Sequence, residues 1–239
     1  MSGVLTNFKR DIKRAKKLFF NRLYVSPKVE KEVVDSFHKL YYHSSAFGKT
    51  WQNTNWLGVA TLKCPLDLWI YQETIFETRP DVIVECGTAE GGTTLYLASI
   101  FDLLGTGRVV SIDIDTRIKR PPHPRITYIE GSSTDSRVVQ KVTRNIGEEE
   151  KVLVILDSDH SKEHVLNELT IYGDIVSKGC YIIVEDSNVN GHPVLPNYGP
   201  GPMEAINEFL AKDDRFIIDD GKEKFYMTFN PRGYLKKVK

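Results

Sequence analysis

The sequence is poor in the features that mark several protein classes. It has only three cysteines in 239 residues, Cys64, Cys86 and Cys180, with no Cys-x-x-Cys spacing. That excludes a disulfide framework and a zinc ribbon. Cys86 and Cys180 lie in apolar runs and read as buried thiols. No stretch approaches the roughly 18 apolar residues of a membrane-spanning helix. No apolar core with a small-residue cleavage site follows the charged N-terminus, so no signal peptide is expected and a cytoplasmic location is. Internal repeats and low-complexity segments are absent. So is any excess of one charge: Lys+Arg and Asp+Glu are both 32. Apolar residues at 41% and charged residues at 27% exclude wholesale disorder.

The neutral total hides an uneven chain. Residues 9–28 carry eight basic side chains and one acid, a local charge of +7, which leaves −7 on the rest. The acidic body has no basic groove interleaved with aromatics, so nucleic acid is not an expected partner. Residues 4–24 have helical periodicity, with apolar Val4, Phe8, Ile12 and Leu23 on or near one side and basic residues opposite. Such a helix packs on the domain or a second subunit, or lies on an anionic membrane surface. Peripheral contact with the inner face of the membrane is therefore one expectation. A homo-oligomer built through the N-terminal helices is another.

A second helix is expected over 28–42, an aromatic-rich loop over 43–61, and a helix from Pro65 to about Thr78. Short apolar runs then alternate with helical segments. Strands are expected at 82–86, 108–112, 126–130, 152–156 and 180–184, with helices near 91–104, 134–146 and 161–176. Continuous Val/Ile/Leu runs are the pattern of strands covered on both faces, and the alternation implies a parallel sheet. A helix at 202–211 precedes two further strands, 215–219 and 224–230, whose short link predicts an antiparallel pair.

The first of these strands ends in Glu85-Cys86-Gly87-Thr88-Ala89-Glu90-Gly91-Gly92-Thr93. A dinucleotide fingerprint would read G-x-G-x-x-G, and Glu90 would set a negative charge beside its pyrophosphate. The turn instead reads E-x-G-x-A-x-G, close to that of class I methyltransferases. Their S-adenosylmethionine carries a sulfonium, to which an acidic strand end is favourable. Glu85, Gly87, Thr88, Ala89, Gly91, Gly92 and Thr93 are the candidate cofactor residues of this turn. Asp113, at the second strand end, is the candidate acceptor for the ribose hydroxyls. Ser132 and Ser133, at the third, are candidates for the adenine side.

The next two strands end in Asp157-Ser158-Asp159-His160 and Glu185-Asp186. Parallel neighbours bring both ends to one edge, where the carboxylates would repel unless a cation joins them. An oxygen donor set favours Mg²⁺. Asp157, Glu185 and Asp186 are the first-choice ligands and Asp159 the second; helix capping or pairing with Lys/Arg is the competing reading. Asp157 also borders the cofactor. His160 is the candidate general base toward a metal-held hydroxyl, and His160 with His164 is a less favoured metal pair.

These residues reach a family. The run from about Trp51 to Leu235 resembles the cephalosporin hydroxylase / rhamnosyl O-methyltransferase family. The resemblance rests on Trp56-Leu57-Gly58, Cys64-Pro65-Leu66-Asp67-Leu68-Trp69, Arg79-Pro80-Asp81, the glycine turn, Leu156-Asp157-Ser158-Asp159-His160, Val184-Glu185-Asp186, Gly191-His192-Pro193-Val194, Gly199-Pro200-Gly201-Pro202 and Thr228-Phe229-Asn230-Pro231. It implies an α/β, Rossmann-like class I methyltransferase fold: a seven-stranded, mostly parallel sheet with the last strand antiparallel and helices on both faces. It also implies Mg²⁺ at the ends of the fourth and fifth strands. The acid spacing is similar to the catechol O-methyltransferase scheme, with Asp157, Glu185 and Asp186 in the metal positions and His160 where that scheme has its base.

The expected function is S-adenosylmethionine- and Mg²⁺-dependent O-methylation of a hydroxyl on a sugar, glycosylated natural product or glycolipid. His192 and Tyr198, in the loop 187–202, are candidate acceptor contacts, with Trp51 and Trp56 as a lid. Residues 1–62 are expected to form an N-terminal unit and 63–239 the methyltransferase domain. A dinucleotide-dependent oxidoreductase or hydroxylase, and a non-catalytic S-adenosylmethionine-binding protein, are the alternatives.

Overall fold

Strong strand formers and helix punctuation set most element boundaries. A computed structural model describes residues 25–44, 48 and 50–239. The expected helix over 4–24 lies outside them. Helix α1 (Pro27–His43) starts at Ser26, whose hydroxyl accepts the Val29 N–H at 3.3 Å. A small hairpin, β1 (Asn55–Trp56) and β2 (Val59–Ala60), follows. Helix α2 (Pro65–Thr78) carries proline in its first turn, where no amide donor is lost. It stops at Arg79, which adopts a left-handed conformation and returns its N–H to the Ile75 carbonyl.

The body then alternates: β3 (Val82–Cys86), α3 (Gly92–Leu104), β4 (Arg108–Asp113), β5 (Ile126–Glu130), α4 (Ser136–Arg144), β6 (Val152–Leu156), α5 (Lys162–Ile175), β7 (Tyr181–Val184), α6 (Pro202–Leu210), β8 (Phe216–Ile218) and β9 (Tyr234–Lys237). The sheet order is β5-β4-β3-β6-β7-β9-β8. Strands β3 to β7 pair in parallel, and β9 runs antiparallel to both β7 and β8.

Alternation along each strand divides the core. Val82, Val84, Val110, Val154 and Ile182 face a layer with Val142, Leu169, Tyr172 and Ile206 from α4, α5 and α6. Ile83, Val109, Leu153, Ile155 and Ile183 face Ile70, Ile75, Leu97 and Phe101 from α2 and α3. Every residue of β3 and β6 is buried, as central strands covered on both faces require.

One expected strand is corrected. Residues 224–230 form no strand; a short 3-10 helix (Asp220–Glu223) and a loop separate β8 from β9. Phe225 and Tyr226 are exposed, and only residues 227–230 are buried, for another reason. Asp67 on α2 accepts the Thr228 hydroxyl at 2.5 Å and the Phe229 N–H at 2.8 Å, which holds the loop against that helix. The antiparallel partner of β8 is instead the lysine-rich Tyr234–Lys237. Lys237 is tolerated in it because its ammonium donates to the Gly173 and Val176 carbonyls, 2.9 Å each, at the C-terminus of α5.

Candidate active site

The chain order places β6 beside β3, on the side away from β4, so the loops after β3 and β6 meet at the switch point of the sheet. The contact is at backbone distance. A Cβ on Gly87 would lie 2.0 Å from the Asp157 carbonyl oxygen, and Gly87 has φ +93°. Only glycine lets this turn and the acidic loop approach so closely. Asp157 continues the ladder by donating its N–H to the Cys86 carbonyl at 2.7 Å, and Glu185 donates to Leu156 at 3.0 Å. Strand register therefore sets the two acidic loops side by side. Asp186 is in the left-handed region, φ +52°, unusual for a residue with a side chain. Its N–H is held by the Asn230 side-chain oxygen at 3.2 Å.

Asp157, His160 and Asp186 converge, with one donor atom from each lying within 4.8 Å of the others. The His160 Nε2 is 3.1 Å from Asp186. Burial opposes protonation of His160, but Asp186 and Asp157 outweigh it and raise the imidazole to about 9. Glu185, expected among the first ligands, faces elsewhere. It accepts from the Tyr71 hydroxyl and pairs with the Lys63 ammonium at 3.0 Å. Lys63 also holds Asp157 at 2.5 Å. Burial pushes the Asp157 and Glu185 carboxyls up while Lys63 opposes it. Asp186 is held down by His160 against its own burial. Asp159 is corrected as a ligand: it is exposed, outside the converging group, and accepts the Ser161 N–H at 2.8 Å.

Three carboxylates and two cations leave this cluster with one net negative charge when His160 is protonated. Internal pairing thus relieves much of the repulsion that a metal was expected to relieve alone. The converging donors, two carboxylates and one imidazole, still form an open divalent-cation set, and the carboxylates suit Mg²⁺. His164 is not part of it. Its Nε2 lies 3.0 Å from the Ser158 hydroxyl and 3.4 Å from Glu168.

The glycine turn after β3 is held by buried hydrogen bonds at its core and by contacts to other segments at its margins. Glu85 is buried and accepts from Thr94 at 2.5 Å and Ser111 at 2.6 Å; burial raises its carboxyl to about 7. Its Oε1 is buried without a hydrogen-bond partner among the described residues. The Asp113 carboxylate closes over the turn, accepting the Thr88 and Ala89 amides at 2.9 and 2.8 Å and pairing with Arg120 at 3.1 Å. Gly91 caps α3 with φ +85°. Gly92 and Thr93 face away from the turn. A Cβ on Gly92 would lie 2.1 Å from the Ala60 carbonyl, and the Thr93 hydroxyl donates to Thr61 at 3.1 Å. These two contacts seat the segment that carries Lys63. Ser132 bonds Thr134, and Ser133 is buried against Glu168 at 2.5 Å.

The acceptor candidates separate. His192 pairs with Glu204 at 2.8 Å and borders a cavity of about 300 Å³ whose walls include Asp35, His38 and Tyr226. Tyr198 is half-exposed, and Asp159 and Asp186 add to the effect of burial in raising its hydroxyl. Trp51 stacks on Tyr42 at 5.6 Å, beside a small cluster of Cys64, Met227 and Phe229. Trp56 packs edge-on to Tyr96 at 4.9 Å and donates to Ser99 at 3.1 Å, along α3 beyond the turn.

Lys63, Tyr71 and Arg120 were not anticipated from sequence. Lys63 had one available signal, a lysine set between Leu62 and Cys64-Pro65. Tyr71 had none beyond helix periodicity.

The strand order, the antiparallel seventh strand and the glycine turn at the switch point define the class I methyltransferase fold. Solved structures agree on the fold. CmcI with Mg and S-adenosylmethionine matches with TM-score 0.62 at 23% identity, over 79% of this chain and 78% of that one. A Podospora anserina methyltransferase, PaMTH1, bound to S-adenosylhomocysteine, matches with TM-score 0.50 at 15% identity, over 87% and 90%. The chain belongs to the rhamnosyl O-methyltransferase/CmcI family, whose model matches residues 48–238. The rhamnosyl O-methyltransferase of Mycobacterium tuberculosis is 38% identical over 215 residues, 85% of this chain and 84% of that one. Its Mycobacterium leprae counterpart is 36% identical over 209 residues, 85% and 90%.

Proposed function

We propose that the protein is an S-adenosylmethionine- and Mg²⁺-dependent O-methyltransferase acting on a hydroxyl of a sugar, with a glycosylated natural product or glycolipid as the acceptor class. The observation that carries this reading is the convergence of Asp157, His160 and Asp186 beside the Gly87 turn. The turn gives the sulfonium a glycine-lined cradle, with the Glu85 carboxyl at the strand end that leads into it. The acceptor oxygen attacks the sulfonium methyl in line, the methyl–sulfur bond breaks, and S-adenosylhomocysteine leaves. Asp157 and Asp186, with Glu185 beside them, would hold Mg²⁺, which when bound supplies Lewis-acid polarisation of the acceptor hydroxyl. With a bound cation in its place as counter-charge to Asp157 and Asp186, the His160 imidazole would release its own proton and then take the hydroxyl proton. Asp113 holds the turn and offers its carboxylate to the ribose side. Tyr198, the acceptor candidate that Asp159 and Asp186 influence, contacts the sugar.

Methyl transfer from S-[methyl-¹⁴C]adenosylmethionine to rhamnosyl glycosides tests this. Label in the sugar, abolished by EDTA or by Asp157→Asn, is the expected result; full transfer in EDTA refutes it. Among the described residues no helix is long and apolar enough to cross a membrane. The basic segment 4–24 is proposed to bring the enzyme to an anionic surface. Equal liposome flotation with and without residues 1–28 would refute that.

A further inference from the structure

Lys63 is the least expected group in the site. It comes from the segment that Gly92 and Thr93 seat, 94 residues before its partner in the chain. Its side chain is 5% exposed, and its ammonium touches Asp157 at 2.5 Å and Glu185 at 3.0 Å. A buried ammonium is costly unless its charge is matched, and here two carboxylates match it. Tyr71 and Asn230 fix the arrangement from below. Tyr71 donates to Glu185, and the Asn230 amide donates to the Tyr71 hydroxyl at 3.1 Å.

The same Asp157 is one of the three converging donors. A divalent ion and Lys63 therefore draw on one carboxylate. We infer that Lys63 is a resident counter-cation that competes with the divalent metal for Asp157, anchored by its second pairing with Glu185, and so sets the metal affinity of the site. This rests on the metal-dependent reading above. In the metal-free protein the ammonium keeps the carboxylates ordered and nearly neutralised. Metal entry shifts negative charge from the lysine to the ion. Affinity is thereby lower than the three carboxylates alone would give, and the site is poised for exchange. Lys63 is a positioning residue here: it acts on the ion through the carboxylates.

Removing one positive charge a few ångströms from a divalent ion tightens binding by at least about tenfold, even in a well-screened site. The experiment measures Mn²⁺ binding by electron paramagnetic resonance of the free ion and Mg²⁺ binding by calorimetry, on the full chain. Lys63→Met is expected to bind both ions at least about tenfold more tightly than wild type. Lys63→Arg keeps the charge and is expected to stay within about threefold of wild type or to bind more weakly.

Unchanged or weaker binding by Lys63→Met overturns the inference while leaving metal dependence intact. Tighter binding by Lys63→Arg overturns it too. No binding of either ion by wild type or Lys63→Met overturns both the metal reading and the inference. If Lys63→Met does not fold, the wild-type ammonium reports directly. Its ¹⁵Nζ resonance, assigned by its loss in Lys63→Arg, is expected to shift as Mg²⁺ is added. A resonance that stays in place at saturating Mg²⁺ overturns the competition.

Discussion

The close approach of the glycine turn to the acidic loop can be tested with two alanine substitutions. Gly58 and Gly87 both have positive φ, +85° and +93°. An alanine at either position pays the left-handed penalty of about 1–2 kcal/mol. The surroundings then differ. A Cβ at Gly58 meets nothing within 4 Å, whereas one at Gly87 would sit 2.0 Å from the Asp157 oxygen and 2.4 Å from its carbonyl carbon. Ordinary contact would need a displacement of more than about 1 Å, against an Asp157 backbone that is tied to Cys86 at 2.7 Å. Overpacking of this kind costs about 1–3 kcal/mol. Gly58→Ala should therefore lose about 1–2 kcal/mol in urea unfolding, and Gly87→Ala about 2–5 kcal/mol. Because the displaced atoms belong to Asp157, Gly87→Ala should also weaken Mn²⁺ binding, and Gly58→Ala should not. Equal stability losses, or unchanged metal affinity in a folded Gly87→Ala protein, would refute the argument that backbone contact sets the site.

Other outcomes follow from individual contacts. Asp186→Ala is expected to weaken Mn²⁺ binding by at least about tenfold, while Asp159→Ala leaves it unchanged and costs about 1 kcal/mol through the lost Ser161 bond; equal effects on the ion would contradict the donor group described. Asp67 gives a pH test. Burial raises its carboxyl from 3.8 to about 7 against the pull of Thr228 and Phe229. The folded state then holds the proton more tightly than the unfolded state. The stability this contributes is complete below the unfolded pKa and lost as pH rises through the folded one. The advantage of wild type over Asp67→Asn should therefore shrink between about pH 4 and 8, and a gap that widens in urea titrations would reverse the assignment. Trp56→Ala should cost at least about 1 kcal/mol through Tyr96 and Ser99 with acceptor KM unchanged; a raised KM would restore Trp56 as an acceptor contact.

Much of the fold was legible locally. Strands Val82–Cys86, Ile126–Glu130 and Val152–Leu156 have the bounds that their Val/Ile-rich runs suggested, because a run covered on both faces ends where polar turn residues begin. The helix at Pro65 and the glycine turn were legible because proline and glycine act on their own backbone. The last strand was not. Residues 225–230 are the more apolar segment, yet Tyr234–Lys237 forms the strand, since Asp67 claims the first and carbonyls at the end of α5 accept the Lys237 ammonium. Those partners are far away in the chain. The same reason hid Lys63 and misplaced Asp159 and Trp56. Their type and spacing fitted a site, but their neighbours are chosen by packing.

The sequence by itself therefore determined the alternation of strands and helices from β3 to β7, the glycine turn, the acids at successive strand ends and the family. Each is a property of a short segment or of its repetition along the chain. Tertiary structure alone decided which acids converge, which are neutralised, and by what. Asp157 meets Asp186 and Lys63 only because β6 lies between β3 and β7 and the Ala60–Lys63 segment is seated on α3. Charge pairing falls off within a few ångströms, so it depends on where side chains end up and not on how many residues separate them.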